Sequence, residues 1–188
     1  MDKFSKLKPE EQKKSKKEDI VYSNEHIKVV EYEDWSVITG RDGVLCIPYL
    51  IEQNKFIIRQ EYIPSYKFVD GQEYHLACVG GGIEEGESPE EALFREIQEE
   101  AGLVIKESIK IDFDAPLFLH KSCTIKIFPC IIPLTENDYY EIPIKGDGSK
   151  TEKMSKTVSL DIKHINALKP SDIQTQFMLE KFKRFLNL

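Results

Sequence analysis

The sequence predicts an α/β domain in which a mixed sheet lies between helices. Three observations carry that expectation. Short β-rich runs flank a single acidic helix on both sides. A glycine triplet, Gly80, Gly81 and Gly82, leads into that helix. An amphipathic helix closes the chain. Strands before and after one helix, sealed by another, bury both faces of a sheet.

The elements follow in order. Residues 1–19 are lysine-rich and almost without apolar side chains, which predicts a disordered or loosely helical leader. Residues 20–188 then form one domain, since 188 residues suffice for one sizeable core. Strands are expected at 27–32, 35–39, 44–50 and 55–62, broken at Asn24, Asp34, Asp42-Gly43 and Gln53-Asn54. A strand at 73–79 feeds the glycines, which read as a loop that lets backbone approach a ligand closely. Further short strands are expected at 103–111, 116–119, 125–132 and near 157–160, with a long polar loop over 134–156. A short helix near 162–168 precedes the terminal one, which Ser171 and Gln174 open as a capping box. Ile173, Phe177, Met178, Phe182, Phe185 and Leu186 give that helix its core stripe.

Bulk properties exclude several classes. A net charge of −7 argues against duplex nucleic acid as an electrostatic partner, though not against a nucleotide met through metal. No apolar run approaches the roughly 20 residues that span a bilayer. The charged N-terminus has no apolar signal core, so a cytoplasmic protein is expected. Cys46, Cys78, Cys123 and Cys130 sit in strand-like contexts with no zinc spacing, and are expected to be buried free thiols.

The central helix is strongly specified. Ser88 and Glu91 form a capping box, Pro89 occupies the first helical position, and Gly102 is placed to end the helix left-handed. Ala92, Leu93, Ile97 and Ala101 form its apolar stripe. Glu96, Glu99 and Glu100 crowd its C-terminal end, where the helix dipole disfavours anions. Glu96 and Glu100 also form a like-charge i,i+4 pair, which costs on the order of 0.2–0.5 kcal/mol. A hard divalent cation bound by oxygens would compensate both penalties.

Residues 81–103 meet a longer pattern: Gly81, Glu87, Arg95, Glu96, Ile97, Glu99, Glu100, Gly102 and Leu103 stand at fixed spacings. This segment resembles the Nudix hydrolase box at every defining position. The resemblance implies a Nudix-type α/β/α sandwich with a mixed sheet and N-terminal antiparallel strands. It implies a divalent cofactor, Mg²⁺ with Mn²⁺ as the substitute, held by Glu96, Glu99, Glu100 and the Gly80 carbonyl. The catalytic set it implies is Glu99, Glu100, Glu152 and Arg95. Arg95 and Glu87 are expected to orient the ligands, with Glu87 also counted on the substrate side. A divalent ion neutralises phosphate oxygens and lowers the pKa of bound water, which is the chemistry a pyrophosphate bond needs.

The general base is expected in the 134–156 loop, which offers Glu136, Asp138, Glu141, Asp147 and Glu152. Glu152 leads toward Val158 and Leu160 as the family's loop glutamate leads into its strand. Residues 20–165 resemble the branch that includes ADP-ribose and nucleoside-diphosphate-sugar pyrophosphatases, through Asp42-Gly43-Val44 to Tyr49 and through Arg59-Gln60. That branch implies a small-molecule nucleotide substrate and a homodimer formed through the N-terminal strands. Arg59 is the candidate phosphate or ribose contact, and Trp35, with Tyr32 and Tyr62, the candidate base-stacking group. Departures stand at Ala77-Cys78-Val79, at Tyr62 and at His120–Thr124, and these loosen the tie to ADP-ribose itself. The alternatives are a Nudix hydrolase of nucleoside triphosphates, dinucleoside polyphosphates or capped RNA, and a non-catalytic nucleotide-binding regulator. The intact glutamates weigh against the last.

Overall fold

The computed structural model describes residues 19–146 and 148–188, with the side chains of Asp19, Asp70 and Glu152 outside the description. The leader expected at residues 1–19 lies, up to Glu18, outside the described residues. The chain then builds a three-stranded antiparallel meander of β1 (Asp19–Ser23), β2 (Ile27–Tyr32) and β3 (Trp35–Gly40). Asn24 closes its first turn by accepting the backbone N–H groups of His26 and Ile27, both at 2.8 Å.

The main sheet starts with β4 (Gly43–Leu50) and β5 (Lys55–Tyr62), a hairpin turned at Asn54, whose φ is 55°. The two strands pair only at their base, Tyr49 with Phe56 and Leu50 with Lys55. Above it they part, and the gap is filled by β6 (Tyr74–Ala77) on β5 and β7 (Val79–Gly82) on β4. The expected single strand at 73–79 is therefore two, broken at Cys78. The glycines are not a loop but the paired strand β7, because Gly80 passes so close to β4 that a side chain cannot fit. A β-carbon on Gly80 would lie 2.2 Å from the Val44 carbonyl oxygen.

Between β5 and β6 runs α1 (Pro64–Asp70), which the strand-dominated pattern of this region hid. Its signals were present: Pro64 at the first turn and Gly71 just past the end, left-handed at φ 76°. Helix α2 (Pro89–Glu96) has the expected capping box, with both the Ser88 and Glu91 bonds formed. It does not stay α-helical. Residues Ile97–Ala101 form a π turn, ended by Gly102 at φ 66°.

Strand β8 (Leu103–Ile105) is shorter than the expected 103–111, because its partner among the described residues, β11 (Tyr139–Glu141), is three residues long. Strand β9 (Leu117–Phe118) edges β10 (Lys126–Leu134), which runs parallel to β4 and makes the sheet mixed. The stretch expected as one long polar loop holds β11 and a short helix, α3 (Lys150–Met154). Strand β12 (Lys156–Asp161), a 3₁₀ turn (Ile162–Ala167) and α4 (Ile173–Phe185) complete the chain. The main sheet runs β12-β5-β4-β10-β9.

Two cores flank this sheet, as the α/β/α expectation requires. Leu93, Ile97 and Ala101 pack against Val44, Cys46, Ile57, Cys130 and Ile132 on one face. Met178, Leu179 and Phe182 of α4 pack against Ile47, Phe56, Ile58 and Cys78 on the other. Alternation along β4 sends Cys46 to one core and Ile47 to the other. All four cysteines are free and buried, as expected.

Helix α4 corrects two details. Its cap is Asp172, which accepts from the Thr175 N–H at 2.8 Å, while the Ser171 hydroxyl pairs instead with His75 Nδ1 at 3.0 Å. Its buried stripe is Thr175, Met178, Leu179 and Phe182, so Ile173, Phe177 and Phe185, expected in the core, are exposed.

Candidate active site

Strand β7 and the last turns of α2 face each other across a polar cleft of about 320 Å³. Glu96, Glu99 and Glu100 line it together, with Gly80, Gly81, Gly82, Arg59 and Arg95. Glu96 and Glu100 are buried, and Glu99 is half-buried.

Each carboxylate is held by a different device. Glu96 lies over Gly81, where an added β-carbon would fall 2.2 Å from its Oε1. Glu100 accepts the Gly80 backbone N–H at 3.0 Å through Oε2. Arg59 Nε stands 3.2 Å from Glu100 Oε1, an ion pair without the angle of a hydrogen bond. The Arg59 guanidinium is almost fully buried and also donates to the Glu100 main-chain carbonyl at 3.4 Å. That carbonyl accepts a second bond, from the Thr157 hydroxyl of β12.

Arg95 is the hub of the other side. Its Nε and Nη2 grip the two oxygens of Glu87 at 2.9 and 3.1 Å, and Nη2 also reaches the Gly82 carbonyl at 2.9 Å. Its Nη1 donates to Glu96 at 2.7 Å and to Glu99 at 3.3 Å. One guanidinium thus sets the rotamers of three glutamates. Both Glu87 oxygens are spent on Arg95, and one also takes the Glu84 N–H at 2.9 Å. Glu87, expected both to orient the ligands and to stand on the substrate side, is placed against Arg95 and is absent from the described cleft lining.

The electrostatics favour a cation. Burial pushes the Glu100 carboxyl up to about 8, against the pull of Arg59 and the Gly80 N–H. Burial raises Glu96 as well, opposed by its bond to Arg95. Glu87 is held low by Arg95, and Arg95 in turn is raised, first by Glu87. The lining carries Glu61, Glu84, Glu96, Glu99 and Glu100 against Arg41, Arg59 and Arg95. Among the described residues that line it, carboxyl groups outnumber guanidinium groups, and burial of the glutamates is a cost that a bound cation would offset. All candidate donors are hard oxygens, so the residues fit Mg²⁺ or Mn²⁺. Among the described residues no three acidic, His or Cys side chains are grouped closely enough to hold an ion as they stand, and the glutamates are engaged by Arg95 and Arg59.

The other expected residues fall unevenly. The side chain of Glu152 lies outside the description, but its neighbours Ser149 and Thr151 line the cleft. Asp147 lies outside the described residues. Glu141 is exposed on β11 and does not line the cleft. Trp35 is 48% exposed at the tip of the meander, under the Lys121 ammonium, and outside the cleft lining. Tyr32, on the separate sheet of the meander, and Tyr62, at the end of β5 where it pairs with Tyr74 of β6, are also absent from that lining. Sequence reasoning missed Glu61 and Arg41. Glu61 could have been found from strand alternation, since it stands two residues from Arg59 on β5 and shares its face. Burial raises the Glu61 carboxyl, opposed by Arg59.

Comparison with known proteins finds two likenesses. Residues 40–120 match the family model described as the NUDIX domain. A solved structure described as an ADP compounds hydrolase is similar in fold, with a TM-score of 0.67 at 21% identity. The similarity covers 90% of this chain and 91% of that one. No curated protein matches the sequence.

Proposed function

From the match of residues 40–120 to the NUDIX domain model we propose a metal-dependent hydrolase that cleaves the pyrophosphate bond of a nucleoside diphosphate linked to another moiety. The observation that carries the proposal is the single cleft in which Glu96, Glu99 and Glu100 face Gly80–Gly82. The likeness to an ADP compounds hydrolase agrees with the substrate class.

Glu96, Glu99, Glu100 and the Gly80 carbonyl would hold Mg²⁺ or Mn²⁺, which when bound neutralises phosphate oxygens and acidifies water. Arg95 fixes Glu96 and Glu99, so that the ligands are oriented before substrate arrives. Arg59 supplies positive charge at the floor of the cleft, beside Glu100, where a phosphate would sit. Glu152 is the proposed base, taking the proton of the attacking water. Its helix α3 borders the cleft through Thr151, which suits a group that closes on substrate.

We further propose a cytoplasmic homodimer joined through the N-terminal meander. That sheet exposes Ile20, Val21, Tyr22, Trp35 and Ile38, more apolar surface than a lone meander should leave in water. Among the described residues no helix is long and apolar enough to cross a membrane.

The test is direct. Purified protein is incubated with Mg²⁺ and a panel of ADP-ribose, UDP- and GDP-sugars, triphosphates and dinucleoside polyphosphates, and released phosphates are scored. Turnover of diphosphate-linked compounds, abolished by EDTA, is expected. Tight binding of one compound with no turnover of any would make the chain a binding module.

A further inference from the structure

Behind Arg59 lies a second concavity, of about 260 Å³, with the opposite charge. Arg59, Lys145, Lys153, Ser155 and Thr157 line it, and among the described residues no carboxylate does. Arg59 is the wall between the two, since it lines both. A basic hollow is not a generic property of this chain, whose net charge is −7.

The hollow is built rather than incidental. The Gly146 N–H donates to the Glu99 carbonyl at 3.2 Å, and the Ile142 N–H to the Gly102 carbonyl at 2.8 Å. Lys145 is thereby moored to the turn that carries the cleft glutamates. The Ser155 hydroxyl ties the other side, donating to the Thr151 carbonyl at 3.0 Å and accepting the Tyr62 N–H at 3.1 Å. Ser155 and Thr157 spend their hydroxyls on the fold. The ammonium groups of Lys145 and Lys153 make no hydrogen bond or ion pair with any described residue. Two lysines with no partner among the described residues line one hollow, one wall away from the diphosphate cleft.

We propose that this hollow is a phosphate subsite, in which Lys145 and Lys153 bind a further phosphate carried by the substrate beyond the bond that is cleaved. The inference rests on the pyrophosphatase reading and narrows its substrate class. The moiety linked to the nucleoside diphosphate is itself phosphorylated. The two hollows divide the work by charge: the acidic one receives phosphate only through a cation, while the basic one receives it directly. A neutral hexose would leave both lysines unused.

Two measurements test this. The first is calorimetric binding of inorganic phosphate in EDTA, for the full chain, Lys145→Gln/Lys153→Gln and the control Lys110→Gln, an exposed lysine outside both hollows. The double variant should bind phosphate at least about tenfold more weakly, and the control should match the parent chain. The second is kcat/KM with Mg²⁺ for ADP-ribose and for an ADP-ribose phosphorylated on its distal ribose. The preference for the phosphorylated compound should fall about tenfold or more in the double variant. Phosphate binding that is absent, or equal in all three proteins, overturns the subsite. Lysine-dependent phosphate binding with an unaltered substrate preference overturns its assignment to substrate. No turnover of any diphosphate by the parent chain, with lysine-dependent phosphate binding intact, sinks the hydrolase reading instead.

Discussion

The Glu96 carboxylate rests on the bare α-carbon of Gly81, in the space a β-carbon would occupy 2.2 Å from Oε1. Strand and helix therefore meet at a contact that admits no side chain on the strand. The atom displaced by a larger residue would be the end of a side chain, not backbone. Gly81→Ala should keep the fold and misplace Glu96. Circular dichroism should be unaltered while Mg²⁺ dependence weakens by about one to two orders of magnitude, the usual scale for disturbing a metal ligand's support. Unchanged metal dependence would remove Glu96 from the site.

Arg95 holds Glu87, Glu96, Glu99 and the Gly82 carbonyl through one planar fork. Lysine keeps the charge and cannot reproduce that geometry. Arg95→Lys should lower kcat by roughly 10–100-fold. Steady-state kinetics, with thermal melting alongside, would separate this from simple loss of stability.

Glu100→Gln should cut turnover by orders of magnitude and leave the melting profile cooperative. Glu152→Gln should lower kcat more than it weakens substrate binding. Glu141→Gln should alter neither, since that residue stands on β11 outside the cleft lining. A kcat loss confined to Glu141→Gln would overturn the base assignment.

Burial raises the Glu100 carboxyl from its ordinary 4.5 to about 8. Between those values the folded chain holds a proton that the unfolded chain has released, so this group's contribution to stability falls as pH rises through the window. A metal bound there needs the carboxylate and must expel that proton. The melting temperature in EDTA should fall from pH 5.5 to 8.5, and the upward shift given by Mg²⁺ should grow over the same range. Glu100→Gln should flatten both trends. A shift independent of pH would show that Glu100 does not meet the ion.

Light scattering should find a dimer. Lysine at Val21 or Ile38, which are 63% and 38% exposed on the meander, should convert it to monomer. A parent chain that is monomeric at micromolar concentration would end the dimer proposal.

Most of the scaffold was legible because its signals are local. The capping box at Ser88, the stop at Gly102 and the periodicity at 27–32 and 55–62 each reside within a few residues. What escaped depends on partners far along the chain. Gly80–Gly82 read as a loop because nothing local announces that β4 will pair with them. The π turn escaped because helical spacing at Ile97 and Ala101 looks the same in sequence whether the turn is α or π. The acidic cluster was legible in composition, but not that Arg95 and Arg59 would divide it between them. Trp35 looked like a stacking group because residue type says nothing of which sheet carries it.

The main-chain carbonyl of Glu100 is moored twice, by Thr157 from the last strand and by Arg59 from the second strand of the main sheet. The signature segment is thus not a portable cassette. Transplanted into a foreign sheet without those two anchors, residues 81–103 would keep every defining letter of their motif and lose the orientation that gives it meaning. Thr157→Val should do likewise in part, slowing turnover from a strand that places no carboxylate in the cleft.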